Sequence, residues 1–317
     1  LWRYGARDYR NIGHKAIYVA NASRTLHAVG WQYAEPVLRS LVLSLLDFGK
    51  EQRVNGYAFD DQCWSGNLKR VREAYPKLNA GWISAPADAA ATRDILDSLR
   101  RSTPDEACGA LASRLLKGEV TAASAWDAVH LAAAELAMRV RAGATIAGIH
   151  AVTSANGLRH AWIAAPDPET RFLLLLQAAG WMAQFRTLVQ QREDNVRAYA
   201  ITQIEPAEAA ALEPTLAEIF DGVRSNTDAS AARTFRLASD LAARQAFLTS
   251  AIRVTLAKAD EVHYYKYLAA LVEDIPLASP EWQPHLAAAT VYYAKGSNDP
   301  EPAAVKRAKE ALRALPV

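Results

Sequence analysis

The sequence is poor in cysteine and methionine, lacks long apolar runs, and carries no excess of either charge. Its 317 residues contain two cysteines and two methionines, and 36 Lys and Arg stand against 34 Asp and Glu for a formal net charge of +2. Cys63 and Cys108 alone cannot make a disulfide scaffold for a chain of this size. One bridge between them and two separate thiols both remain open. A balance this close to zero gives no field that would gather nucleic acid or an anionic membrane. The most apolar stretch, FLLLLQAAGWMAQFRTLV over 172–189, is broken by Gln177, Gln184 and Arg186. It reads as a central core helix and not as a membrane span. The glycine fingerprint of dinucleotide-binding folds, the phosphate-binding loop, the Gly-x-Ser-x-Gly elbow and the His-Glu-x-x-His zinc motif are all missing. Rossmann-type hydride transfer, phosphoryl transfer and serine hydrolysis therefore recede, although a nicotinamide bound in another setting stays open. The chain starts at Leu1, which fits either an exported protein that has lost a signal or a trimmed cytoplasmic one.

What is present is helical. Hydrophobic residues make up 51% of the chain. Ala and Leu abound, period-2 alternation is rare, and Gly and Pro fall mainly between periodic segments. The pattern predicts helices over 12–29, 31–48, 67–74, 87–99, 103–118, 121–141 (closed by Gly143), 146–163, 169–192, 206–220, 285–294 and 302–315. The stretch 228–273 predicts one long helix or two, meeting near 248. Thr103-Pro104-Asp105-Glu106 has the form of a helix start: a cap, a Pro at the first position and an acidic first turn. No repeat of 33 to 45 residues marks a regular solenoid. The expected fold is all-α, a single multi-helix domain over 1–317 around 172–189, with 285–317 as a peripheral cap.

Histidines and carboxylates carry the chemistry. Asp127-Ala-Val-His130 and Asp260-Glu-Val-His263 repeat one pattern, and three residues along a helix bring Asp and His to one face. Such pairs can ligate a metal, as Glu-x-x-His pairs do in di-iron bundles, or the Asp can orient its His. Asp127, His130, Asp260 and His263 are thus the candidate metal ligands, facing one cavity. Neutral imidazole with carboxylate suits iron, zinc or manganese, and a haem clasped by two histidines is an alternative. His14 opens the first long helix, and His150 is followed by small residues that leave room beside it. Lys266 follows His263 by three residues and could act as an anion clamp or proton donor. Tyr264, Tyr265 and Tyr267 suggest an aromatic wall. Asp60 and Asp61, in the loop before Cys63, could bind a cation.

Three segments, GHKAIYVANASRTL, IHAVTSANGLRHAW and DEVHYYKYLAAL, resemble the questin-oxidase-like family of helical proteins. The resemblance covers about a third of the chain and departs from the family at Lys15, where Pro is expected. It implies an oxidoreductase, an oxygenase of the Baeyer–Villiger type acting on an aromatic ketone with NADPH as reductant. It maps onto His14, His150, His263 and Lys266, with His14, His150 and Lys266 as catalytic candidates. The expectation is an enzyme acting on a small apolar molecule, with iron or another divalent metal. The competing expectation is a non-catalytic helical binding or scaffold protein, or a haem protein.

Overall fold

A computed structural model describes residues 1–140, 146–192, 197–208 and 211–314. Among the described residues there is no strand, and fifteen α-helices follow one another: α1 (Trp2–Gly5), α2 (His14–Val29), α3 (Ala34–Leu45), α4 (Trp64–Ala74), α5 (Ala89–Arg101), α6 (Pro104–Lys117), α7 (Ala122–Arg139), α8 (Ile146–Ala164), α9 (Pro168–Arg192), α10 (Leu212–Gly222), α11 (Thr227–Ala238), α12 (Leu241–Lys258), α13 (Val262–Asp274), α14 (Gln283–Ala289) and α15 (Ala303–Arg313). The all-α expectation holds. Gly143 lies outside the described residues.

Local chemistry sets the helix ends. At α6, Thr103 and Glu106 form a reciprocal capping box and Gly118 closes the helix in the left-handed conformation. Asp88, Thr121, Asn226 and Asp240 cap α5, α7, α11 and α12 by accepting a backbone N–H three residues on. The stretch 228–273 does not break near 248. It breaks twice, at Ser239-Asp240 and at Ala259-Asp260-Glu261, because Asp240 and Glu261 both serve as N-caps.

The core is built on α9. Phe172 through Leu176, Ala178, Ala179, Ala183 and Phe185 are fully buried. The helix touches α4, α5, α6, α7 and α8. It is long and apolar enough to cross a membrane, but 89% of its apolar window is buried inside the protein. A helix apolar on every face needs neighbours on every face, and here other helices supply them. The region after Pro284 divides. Leu286 through Ala289 belong to the interior, whereas no residue of α15 is buried.

Three helices position the site. α8 packs against α2 on one side and α13 on the other. Gly157 lets α2 approach closely, since a Cβ there would lie 3.0 Å from the Ala16 carbonyl oxygen. Cross-contacts near the starts of the three helices and again two to three turns later show that they run in the same direction.

Candidate functional site

The start of α2 is held by strain and buried charge. Asn11, Ile12 and Gly13 take positive φ angles of 52°, 54° and 80°. A β-branched residue in this region is a true outlier, costing on the order of 1–3 kcal/mol, and persists only where the surroundings enforce it. Enforcement comes from Ser154, whose hydroxyl donates to the Ile12 carbonyl at 3.4 Å. It also comes from Lys15, whose buried ammonium donates to Asp8 at 2.9 Å and to the Leu45 carbonyl, over the Phe48 ring. Lys15 thus anchors the helix that begins at His14. Gly13→Ala is expected to lower stability by about 2 kcal/mol, because its Cβ would meet Ser154 Oγ at 2.3 Å at a φ that alanine avoids. A thermal melt checks this, and an unchanged melting temperature would contradict it.

Three imidazoles then meet. His14 Nε2 and His150 Nε2 are 3.0 Å apart, with ring centroids at 4.6 Å. The His263 ring centroid is 5.3 Å from that of His150. Each ring is oriented through a second contact. His150 Nδ1 is 2.6 Å from the Ile146 carbonyl oxygen, so it carries the proton and leaves Nε2 with a bare lone pair. His263 Nδ1 is 2.7 Å from the Glu261 carboxylate. The Asn11 carbonyl interacts with the His14 ring, and with Nε2 turned to His150, Nδ1 is the nitrogen left for it.

Burial keeps His14 and His150 neutral. Burial pulls His150 down to about 4, and the neighbouring His14, His263 and Lys266 add to the effect. His14 is lowered by burial and then by Lys266. Both are unprotonated at neutral pH.

Beside the cluster a groove of about 250 Å³ runs between α2 and α13 over α8. Lys266 and Tyr265 line it near the histidines, and Thr153 stands on its floor. Its far end is polar: Arg24 donates to Asn156 Oδ1 at 2.9 Å and pairs with Glu273, and Asn156 Nδ2 donates to Glu273 at 3.0 Å and to Asp274 at 2.9 Å. Lys266 and Glu273 stand two turns apart on α13, roughly 10 Å along its axis.

The other expected ligands lie elsewhere. Asp260 precedes the cap of α13, so Asp260 and His263 do not share a helix face; Asp260 is exposed and pairs with Lys295 at 2.8 Å. His130 is buried with Nδ1 3.3 Å from Asp274. Asp274 ends α13 and His263 begins it, about three turns or roughly 16 Å of axis apart. Asp127 is engaged by the backbone N–H and hydroxyl of Ser279, and its burial raises its pKa. The two Asp-x-x-His segments are therefore not brought to one cavity. Asp61 is neutralised by the Arg10 guanidinium at 2.6 and 2.9 Å. Of the tyrosines, Tyr264 stacks on Tyr293 and Tyr267 is buried with its hydroxyl on the Ala289 carbonyl, which leaves Tyr265 at the groove. Among the described residues, no group of three or more His, Cys, Asp and Glu side chains is arranged to hold a metal ion.

Arg24, Asn156 and Glu273 carry no sequence signal of a site. They meet only because α2, α8 and α13 run side by side. The chain matches no protein-family model, no curated protein and no solved structure.

Proposed function

We propose that this protein is an oxidoreductase, an oxygenase that acts on an aromatic or ketone-bearing small molecule at the His14–His150–His263 cluster. One observation carries the reading. His14, His150, His263 and Lys266 come from the three segments that resemble the questin-oxidase-like family; the three imidazoles meet, and Lys266, whose charge acts on His14 and His150, lines the groove beside them. Folding had no need to bring them together for stability, since facing lone pairs of His14 and the buried His150 are a cost.

The donor set fits a divalent metal in part. Two bare Nε2 atoms at 3.0 Å repel one another unless a proton or a cation lies between them. Nitrogens bound to one metal at about 2.0–2.1 Å each stand about 3 Å apart. An Nδ1–H given to a backbone carbonyl, as in His150, or placed against a carboxylate, as in His263, is how metal-binding histidines are oriented. His14 and His150 would hold the ion, and the His263 ring stands beside His150 with 5.3 Å between centroids. A bound metal supplies Lewis acidity and a site for oxygen. The chain's own groups do the rest. Lys266 offers a proton or a positive charge to a substrate oxygen at the histidine end, Tyr265 packs against a flat ring, and the Arg24–Asn156–Glu273 end holds polar groups.

NADPH, expected from the resemblance, does not fit beside a substrate in a groove of 250 Å³, and no step is assigned to it. A haem clasped by His14 and His150 is disfavoured as well, because axial ligands stand on opposite faces of the porphyrin and these rings touch.

Oxygen uptake tests the proposal. The ferrous-reconstituted protein is given a hydroxylated anthraquinone, with and without NADPH. Uptake with formation of an oxygenated product, abolished in His150→Ala and retained in His130→Ala, is the expected result. No uptake, or full uptake in His150→Ala, would contradict it.

A further inference from the structure

Cys63 and Cys108 take no part in the groove. Cys63 immediately precedes α4, Cys108 lies inside α6, and both are free thiols with at most 2% exposure. The two sulfurs share the space above Gly180 of α9. A Cβ at Gly180 would lie 2.4 Å from Cys63 Sγ and 2.7 Å from Cys108 Sγ, so the sulfurs can be no farther apart than those two distances together.

Their surroundings are unequal. Cys108 Sγ accepts from Asn67 Nδ2 at 3.3 Å, its thiol donates to the Leu176 carbonyl at 3.2 Å, and Arg70 lies nearby. Burial works against its ionisation, but the contacts with Cys63, Asn67 and Arg70 outweigh it and hold this thiol low. Cys63 is pushed up by its neighbour Cys108 and by burial. Thiolate character decides which sulfur reacts first.

We infer that Cys63 and Cys108 form a redox modification site, a dithiol that a small hydroperoxide converts into an intramolecular disulfide. The chemistry balances in two steps. The Cys108 thiolate attacks one peroxide oxygen, the O–O bond breaks, and a sulfenic acid and hydroxide result. The Cys63 sulfur then attacks the Cys108 sulfur. The S–S bond forms, the S–O bond breaks, and the departing oxygen leaves as water with the Cys63 proton. With hydrogen peroxide, two thiols are oxidised and one peroxide is reduced to two waters, the hydroxide taking up the proton that Cys108 released on ionising. The disulfide ties the segment before α4, which carries Asp60 and Asp61, to α6. This inference is independent of the proposed oxygenase activity.

The test treats the full chain with hydrogen peroxide, alkylates it under denaturing conditions without reduction, and maps the peptides by mass spectrometry. A linked Cys63–Cys108 peptide, reversed by dithiothreitol, is expected. Two cysteines that remain open to alkylation, or that climb separately to sulfinic acids, would overturn the inference. In Cys63→Ser the resolving thiol is gone, so a Cys108 sulfenic acid should accumulate and be trapped by dimedone. An untouched Cys108 in that variant, with a cross-linking parent, would overturn the order of attack. Gly180→Ala wedges a methyl group between the sulfurs and should suppress the linked peptide; full cross-linking in a folded Gly180→Ala protein would contradict the contact.

Discussion

Leu175→Asp should remove a large share of the fold's stability at 25 °C. Leu175 lies in the middle of α9 with no exposure, between Leu174 and Leu176, which are equally buried. A carboxylate there has no route to water, and the cation one turn back, Arg171, is held by the Ala165 carbonyl and lies over the Trp162 ring. The alternatives are an ionised group buried without a partner, a protonated one that still lacks hydrogen bonds, or a displaced helix. Each costs about 4 kcal/mol or more, a large share of the roughly 5–15 kcal/mol that holds a domain together. Urea unfolding followed by far-UV circular dichroism measures the loss. A midpoint equal to that of the parent would show that α9 is not the helix on which the core is built.

Acid should weaken the fold between pH 6.5 and 4, and His150 should account for much of the effect. His150 is held down to about 4 by burial, whereas in the unfolded chain it titrates near 6.5. Above pH 6.5 both states are neutral at this residue and its stability contribution is fully present. As pH falls from 6.5 toward 4, the unfolded chain takes up a proton that the folded one refuses, and stability is lost. For His150 the loss is on the order of 3 kcal/mol. His285, also pulled down to about 4 by burial, acts in the same sense, and burial lowers His14 and His160 too. His150→Gln keeps a polar group of similar reach but cannot protonate, so the acid limb of a stability-against-pH curve should flatten. An identical limb in parent and variant would show that His150 is not buried neutral.

Much of this architecture was legible in the sequence because helical signals are local. The Thr103 capping box, the stop at Gly118 and the apolar run of α9 each act within a few residues. The misread boundaries have an equally local cause. Asp240 and Glu261 look like ordinary charged residues inside a periodic stretch, yet both turn their carboxylates back onto backbone N–H groups and start new helices. That error carried into the site, because an Asp-x-x-His pair shares a face only if a helix runs through it, and at 260–263 none does. His130 shows a different limit. Its helix was read correctly, but its partner Asp274 comes from a distant segment, and spacing within one helix says nothing about which end of another helix it meets. By contrast, His14, His150, His263 and Lys266 were marked by the motifs around them, although their spacing along the chain holds no hint that they meet. Arg24, Asn156 and Glu273 were invisible for the same reason, since a groove between three helices belongs to none of them alone.

Metal titration of the purified protein tests the central claim most directly. Cobalt(II) is added to metal-free protein, and its d–d absorption and bound stoichiometry are measured in the parent, His14→Ala, His150→Ala, His263→Ala and His130→Ala, with circular dichroism to confirm helicity. The account predicts one ion bound by the parent and by His130→Ala, none by His14→Ala or His150→Ala, and weakened binding by His263→Ala, with every variant still helical. A parent that binds no cobalt, or a His150→Ala protein that binds it as well as the parent, would contradict the assignment of the His14–His150–His263 cluster as the functional centre.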